Sequence, residues 1–152
     1  MAATILLVDD EPDVLLLCRV NLEFEGHHVI DASNGDEALD KIKAKGPDLV
    51  LLDVMMPGKD GWQVLAEMKS NPETAGIPVV MLTAKAQERD QIRGWSLGVV
   101  DYVTKPFNPI ALSQTVKKAL EPAASKEREL KRRQMIDKLT LMKSSEVSTA
   151  ST

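Results

Sequence analysis

The chain has 152 residues, 43% hydrophobic and 28% charged, the mix of one globular domain with a short appendage rather than of a disordered chain. The net charge of −4 divides into 12 Lys+Arg against 19 Asp+Glu through residue 121 and 7 against 4 beyond it, and only 3% of residues are aromatic, so neither a basic nucleic-acid surface nor a base-stacking platform is expected. A lone Cys18 excludes internal disulfides and paired-cysteine zinc sites. No apolar run nears the ~20 residues that span a bilayer, and no basic segment precedes the first apolar stretch, so a cytoplasmic chain without membrane contact is expected.

Five β-branched or Leu-rich runs alternate with helical patterns. The first strand is read at Thr4 to Val8, and a helix follows on Val14, Leu17, Cys18, Asn21 and Leu22, ending near Gly26. The second strand, His28 to Ile30, leads to a stripe of Ala38, Leu39 and Ile42 closed by Gly46-Pro47. Leu49 to Leu52 precedes Val64, Leu65 and Met68, ending near Asn71-Pro72. Val79 to Leu82 precedes a mostly polar helix from Gln87 to Leu97, anchored by Ile92 and Trp95. The last strand, Val99 to Val103, leads to a helix capped by Asn108 with Pro109 at its first position and Leu112, Val116 and Leu120 on one face. Consecutive apolar positions in the first, third and fourth runs suit parallel strands covered on both faces. The expected fold class is therefore α/β: a doubly wound, five-stranded parallel sheet, with ligands at the carboxyl edge.

That edge collects chemistry. Asp9 and Asp10 follow the first strand, Asp53 the third, Thr83 ends the fourth and Lys105 the fifth. Three converging carboxylates repel one another unless a cation neutralises them, and hard oxygen donors suit Mg2+. A carboxylate can also be a nucleophile toward phosphorus, with the metal and the lysine screening the phosphoryl oxygens. Asp53 stands apart from the acidic pair and is the candidate nucleophile. Any one of these residues alone could be an ordinary cap or turn; five at matching strand ends form a site.

These residues resemble the receiver domain of two-component response regulators, the chemotaxis-type, flavodoxin-like (βα)5 fold, over residues 3–121. The resemblance rests on Val8-Asp9-Asp10-Glu11-Pro12, Leu52 to Gly58, Asp60-Gly61, Met81-Leu82-Thr83-Ala84 and Asp101 to Phe107. It implies that Asp53 accepts a phosphoryl group from a histidine kinase or histidine phosphotransfer protein. It further implies that Asp9, Asp10, Asp53 and the Met55 backbone carbonyl hold Mg2+, and that Thr83 and Lys105 bind phosphoryl oxygens. The Lys105–Pro106 peptide is expected to be cis. Thr83 and Tyr102 would act as the switch, changing the face of helix four, strand five and helix five that contacts a downstream protein or a second copy. Met55 and Lys85 flank the site. Val100 departs from the acidic residue many relatives carry, and Trp95 is read either as a core anchor or as part of the signalling face.

Residues 122–143 read as a charged helical extension with Leu130, Met135, Ile136, Leu139 and Met142 as a ragged apolar face, either a solvated helix or a two-stranded coiled-coil or partner-docking helix. Residues 144–152 read as a disordered Ser/Thr-rich tail. The expectation is a stand-alone phosphoacceptor switch, not an enzyme, with no output domain in the remaining residues. The alternative is the N-terminal receiver of a longer regulator with a diguanylate cyclase or DNA-binding output; Ile136 to Thr140 faintly resembles a cyclase entry. A haloacid-dehalogenase-type phosphatase would need an Asp where Met55 stands. A flavodoxin-like cofactor binder would not put Asp9-Asp10-Glu11 in its phosphate loop, and a receiver that no longer takes phosphate would not keep all five site residues.

Overall fold

Strands apolar at every position must be covered on both faces, and the computed structural model covers them so. It describes residues 2–84, 94–121 and 133–141. The strands are β1 (Thr4–Val8), β2 (His28–Ala32), β3 (Leu49–Asp53), β4 (Val79–Thr83) and β5 (Asp101–Thr104). The helices are α1 (Pro12–Phe24), α2 (Gly35–Lys45), α3 (Gly61–Ser70), a helical turn α4 at 94–97, α5 (Pro109–Ala119) and α6 at 133–141. The sheet is parallel throughout, in the order β2-β1-β3-β4-β5. It is the doubly wound, five-stranded parallel sheet that the alternation of strands and helices predicts.

Side chains alternate across the sheet and build two cores. Leu6, Val8, Val50, Leu52, Val79 and Met81 pack under α2, α3 and α4, with Ile42, Leu65, Met68 and Trp95. Ile5, Leu7, Leu49, Leu51, Val80 and Leu82 pack under α1 and α5, with Cys18, Leu22, Leu112 and Val116. Cys18 is a fully buried core residue, and burial, helped by the charge of Asp9, pushes its thiol up to about 12. Trp95 is buried as a core anchor.

The helix ends are stopped by local chemistry. Asn34 caps α2 by accepting from the Glu37 amide at 2.9 Å, and Gly46, at φ 52°, takes the left-handed turn that ends it. Asp60 and Gln63 form a reciprocal capping box on α3, each bond 2.9 Å. Asn108 caps α5 ahead of Pro109.

Four sequence expectations shift. β2 extends to Ala32, and β5 begins at Asp101, because Val99 and Val100 belong to the approach loop, where the Val100 amide bonds the Val79 carbonyl at 2.8 Å. On α1 the buried face is Cys18 and Leu22, with Val14 and Leu15 packed beside them. Leu17 is exposed, in a row with Leu16, Val20 and Phe24. α6 is not solvated all round: Met135, Ile136 and Leu139 are half-buried against the core under α2, α3 and α4. Lys85, Ile92, the start of the expected fourth helix, residues 122–132 and 142–143, and the Ser/Thr tail 144–152 lie outside the described residues.

Candidate functional site

β1 and β3 are neighbours in the sheet although β2 separates them in sequence, so connections leave their carboxyl ends in opposite directions and open a crevice there. Asp9 and Asp10 leave β1 into it, and Asp53 is the last residue of β3. Their carboxylate oxygens lie within 4.8 Å of one another, Asp9 and Asp53 buried and Asp10 exposed at the mouth. Thr83, buried, closes β4 one strand over, and Lys105 follows β5 directly. The Lys105 amide donates to the Thr83 carbonyl at 2.7 Å, which ties these last two strand ends together. All five expected positions therefore meet at one edge. The Lys105–Pro106 peptide is cis.

The Lys105 ammonium lies 2.6 Å from Asp9 Oδ2, 3.5 Å from Asp53 Oδ1 and 3.7 Å from Glu11 Oε1. Burial works against its charge, but the closeness of Asp9 and the charges of Asp53 and Glu11 outweigh burial and hold the pKa above the ordinary lysine value. Asp53 is 3% exposed, and its carboxyl is pushed up to about 7, first by burial and then by the charge of Asp9. Lys105 and the Met55 amide, 3.3 Å from Asp53 Oδ1, only partly offset that rise.

The donor set fits a hard divalent cation. Among the described residues Asp9 Oδ2 is buried with no hydrogen-bond donor aligned to it, and the Lys105 ammonium lies beside it. Its other oxygen accepts from the Glu11 amide at 2.9 Å, which holds the carboxylate in place. One Lys cannot neutralise three carboxylates, and an oxygen-seeking ion at this mouth would complete the balance. The Met55 side chain is 74% exposed, which leaves the turn after Asp53 open to solvent.

Two residues of the quoted motifs take on roles that the motifs alone do not assign. Glu11 adds a third carboxylate near Lys105, after Asp9 and Asp53, and the amide that fixes Asp9. Gly61, the first residue of α3, lies so close to β3 that a Cβ there would overlap the Asp53 carbonyl and stand 2.9 Å from Val54 Cα. The sequence signal for Gly61 is its place beside the Asp60 cap; the contact itself is tertiary. Tyr102, on β5, is half-buried and meets Trp95 edge to face, ring centroids 5.8 Å apart.

Residues 5–117 match the family model described as the response regulator receiver domain. The chain is 44% identical over 120 residues to the alkaline phosphatase synthesis transcriptional regulatory protein PhoP of Bacillus subtilis, covering 79% of this chain and 49% of PhoP. It thus spans about half the length of this curated relative. Among solved structures, chemotaxis protein CheY4 of Vibrio cholerae is similar at TM-score 0.75 and 28% identity, over 79% of this chain and 100% of that one. NtrX of Brucella abortus is similar at TM-score 0.74 and 34% identity, over 88% of this chain and 29% of that one. With the crevice at the β1–β3 edge, the acidic trio and the strand-end lysine all inside the matched span, the chain belongs to the response regulator receiver domain family.

Proposed function

We propose that this receiver is a phosphoacceptor switch in which Asp53 takes a phosphoryl group from a histidine kinase or a histidine phosphotransfer protein. The observation that carries the reading is the pairing of an acidic trio within 4.8 Å with a Lys ammonium 3.5 Å from Asp53. In the transfer, an Asp53 carboxylate oxygen forms a bond to phosphorus as the bond to the donor imidazole nitrogen breaks. The electron pair leaves on the imidazole, which takes up a proton as needed, and Asp53 becomes an acyl phosphate. Lys105 balances a phosphoryl oxygen, and the Thr83 hydroxyl bonds another. Mg2+ held by Asp9, Asp10, Asp53 and the Met55 carbonyl would supply charge neutralisation at the phosphoryl group.

Met55, two residues after the nucleophile, offers no acid or base, so the reading is a switch with its own slow dephosphorylation rather than a turnover phosphatase. Thr83 and Tyr102 couple the acyl phosphate to the α4–β5–α5 face, which then meets a downstream protein or a second copy in the cytoplasm. A second reading, the receiver portion of a longer regulator, is favoured by the 49% coverage of PhoP.

The test is labelling with acetyl phosphate and Mg2+. Wild type should take up one phosphoryl group that alkali removes, and Asp53→Asn none. Label retained by Asp53→Asn at the wild-type level overturns the assignment.

A further inference from the structure

Gly94 is a helical residue whose backbone needs no glycine. Its φ lies outside the left-handed region, and helices disfavour glycine because it leaves the unfolded chain so much freedom. Its carbonyl accepts from the Val99 amide at 3.0 Å, an ordinary bond closing the end of the helix that any residue could make. What the missing Cβ provides is space. A Cβ at position 94 would overlap the Tyr102 hydroxyl outright, stand 2.7 Å from Tyr102 Cζ and 3.2 Å from Val99 Cγ2. Overlap with a ring carbon cannot be relieved by a small hydroxyl rotation; the ring or the helix must move.

The neighbours narrow the choice. Trp95, 3% exposed, is locked in the core and meets Tyr102 edge to face, and Val99 is 1% exposed. Tyr102 is anchored through β5, paired with Met81 of β4, so its backbone is fixed while its side chain can turn about χ1. The half-buried ring, which turns about χ1 on a fixed backbone, is therefore the part that position 94 displaces, and the residue there decides whether the ring can lie against α4.

We propose that Gly94 is the positioning residue of the Tyr102 switch: the absent side chain holds open the seat that the ring occupies here. Any side chain at 94 closes that seat and drives the ring to its other rotamer. The functional sense of this rests on the phosphoacceptor reading, but the steric relationship holds without phosphate.

The chain contains one tyrosine, so 3-fluorotyrosine labelling yields a single fluorine resonance reporting on Tyr102. That resonance should move in Gly94→Ala relative to wild type, both without activator and with Mg2+ and beryllofluoride. In parallel, Gly94→Ala should lower the melting temperature by about 5 °C in the Tyr102 background and raise it in a Tyr102→Ala background, where the seat is empty and alanine's helix preference acts alone. The proposal requires both results. A resonance that stays in place, or a melting shift of the same size in both backgrounds, overturns it. Failure of the phosphoacceptor reading looks different: the wild-type resonance ignores beryllofluoride and Asp53 takes no label, while the Gly94–Tyr102 cycle keeps its result.

Discussion

Lys105 Nζ stands 2.6 Å from Asp9 Oδ2, closer than its 3.5 Å approach to Asp53, so in the unphosphorylated fold the ammonium is committed first to Asp9. The lysine is a structural counter-charge before it is a partner for phosphate. Truncating one member of a buried ion pair leaves the other charged and unpaired, which costs several kcal/mol.

Lys105→Ala should therefore destabilise the metal-free protein by about 3 kcal/mol at neutral pH. Saturating Mg2+ should recover more stability in this variant than in wild type, because the remaining carboxylates gain a cation. Thermal melts with EDTA and with Mg2+ check this; equal Mg2+ shifts in both proteins would contradict the assignment of the trio as the metal site.

Asp53 gives the metal-free protein a pH signature. Its carboxyl is pushed from the ordinary 3.8 to about 7, mainly by burial, so the native state holds a proton there that the unfolded chain has released. The contribution is full below the unfolded value and is lost as pH rises through about 7. Denaturant melts in EDTA should show stability falling across that window. Asp53→Asn, neutral throughout, should lack this component and be more stable at pH 8 by on the order of 2 kcal/mol.

Gly61→Ala should cost about 3 kcal/mol, since its methyl would meet the Asp53 carbonyl and Val54 Cα, both backbone. Gly76→Ala, with nothing within 4 Å of the added carbon, should stay within about 0.5 kcal/mol of wild type. Initial phosphorylation rates with acetyl phosphate should fall in Gly61→Ala and hold in Gly76→Ala, because only the former displaces the nucleophile.

The docking of α6 is tested by Met135→Ala/Leu139→Ala. Both side chains are half-buried against the core, and their joint loss should cost about 2 kcal/mol. Leu141, 70% exposed, should accept serine without measurable loss. Identical stabilities for the two variants would mean that the helix does not pack on the domain in solution.

Much of this architecture was legible before any coordinates because parallel strands buried on both faces leave uninterrupted apolar runs, as in Leu6-Leu7-Val8 and Leu49 to Leu52. Caps at Asn34, Asp60 and Asn108 are equally local. The site residues were visible as strand-end departures from those runs. α1 resisted: Leu15, Leu16 and Leu17 are alike as letters, and only the way the helix seats on the sheet, with Cys18 and Leu22 inward, shows that Leu15 packs against the core while Leu16 and Leu17 face solvent. The closeness of Gly61 to Asp53 and of Gly94 to Tyr102 depends on helix–sheet spacing, which no periodicity encodes. Lys105 was legible as a phosphate ligand, whereas its first allegiance to Asp9 required distances.

The order of the strands also sets a timetable. A chain emerging from the ribosome presents Asp9, Asp10 and Asp53 well before Lys105, which arrives with the last strand of the sheet. If β1 and β3 pair during synthesis, the nascent sheet gathers its negative charges before its own counter-charge exists. In that interval only protons or a cation from the surrounding solution can balance them. Divalent ion at the moment of translation would thus weigh more on the N-terminal half than on the finished domain, where Lys105 already supplies one counter-charge.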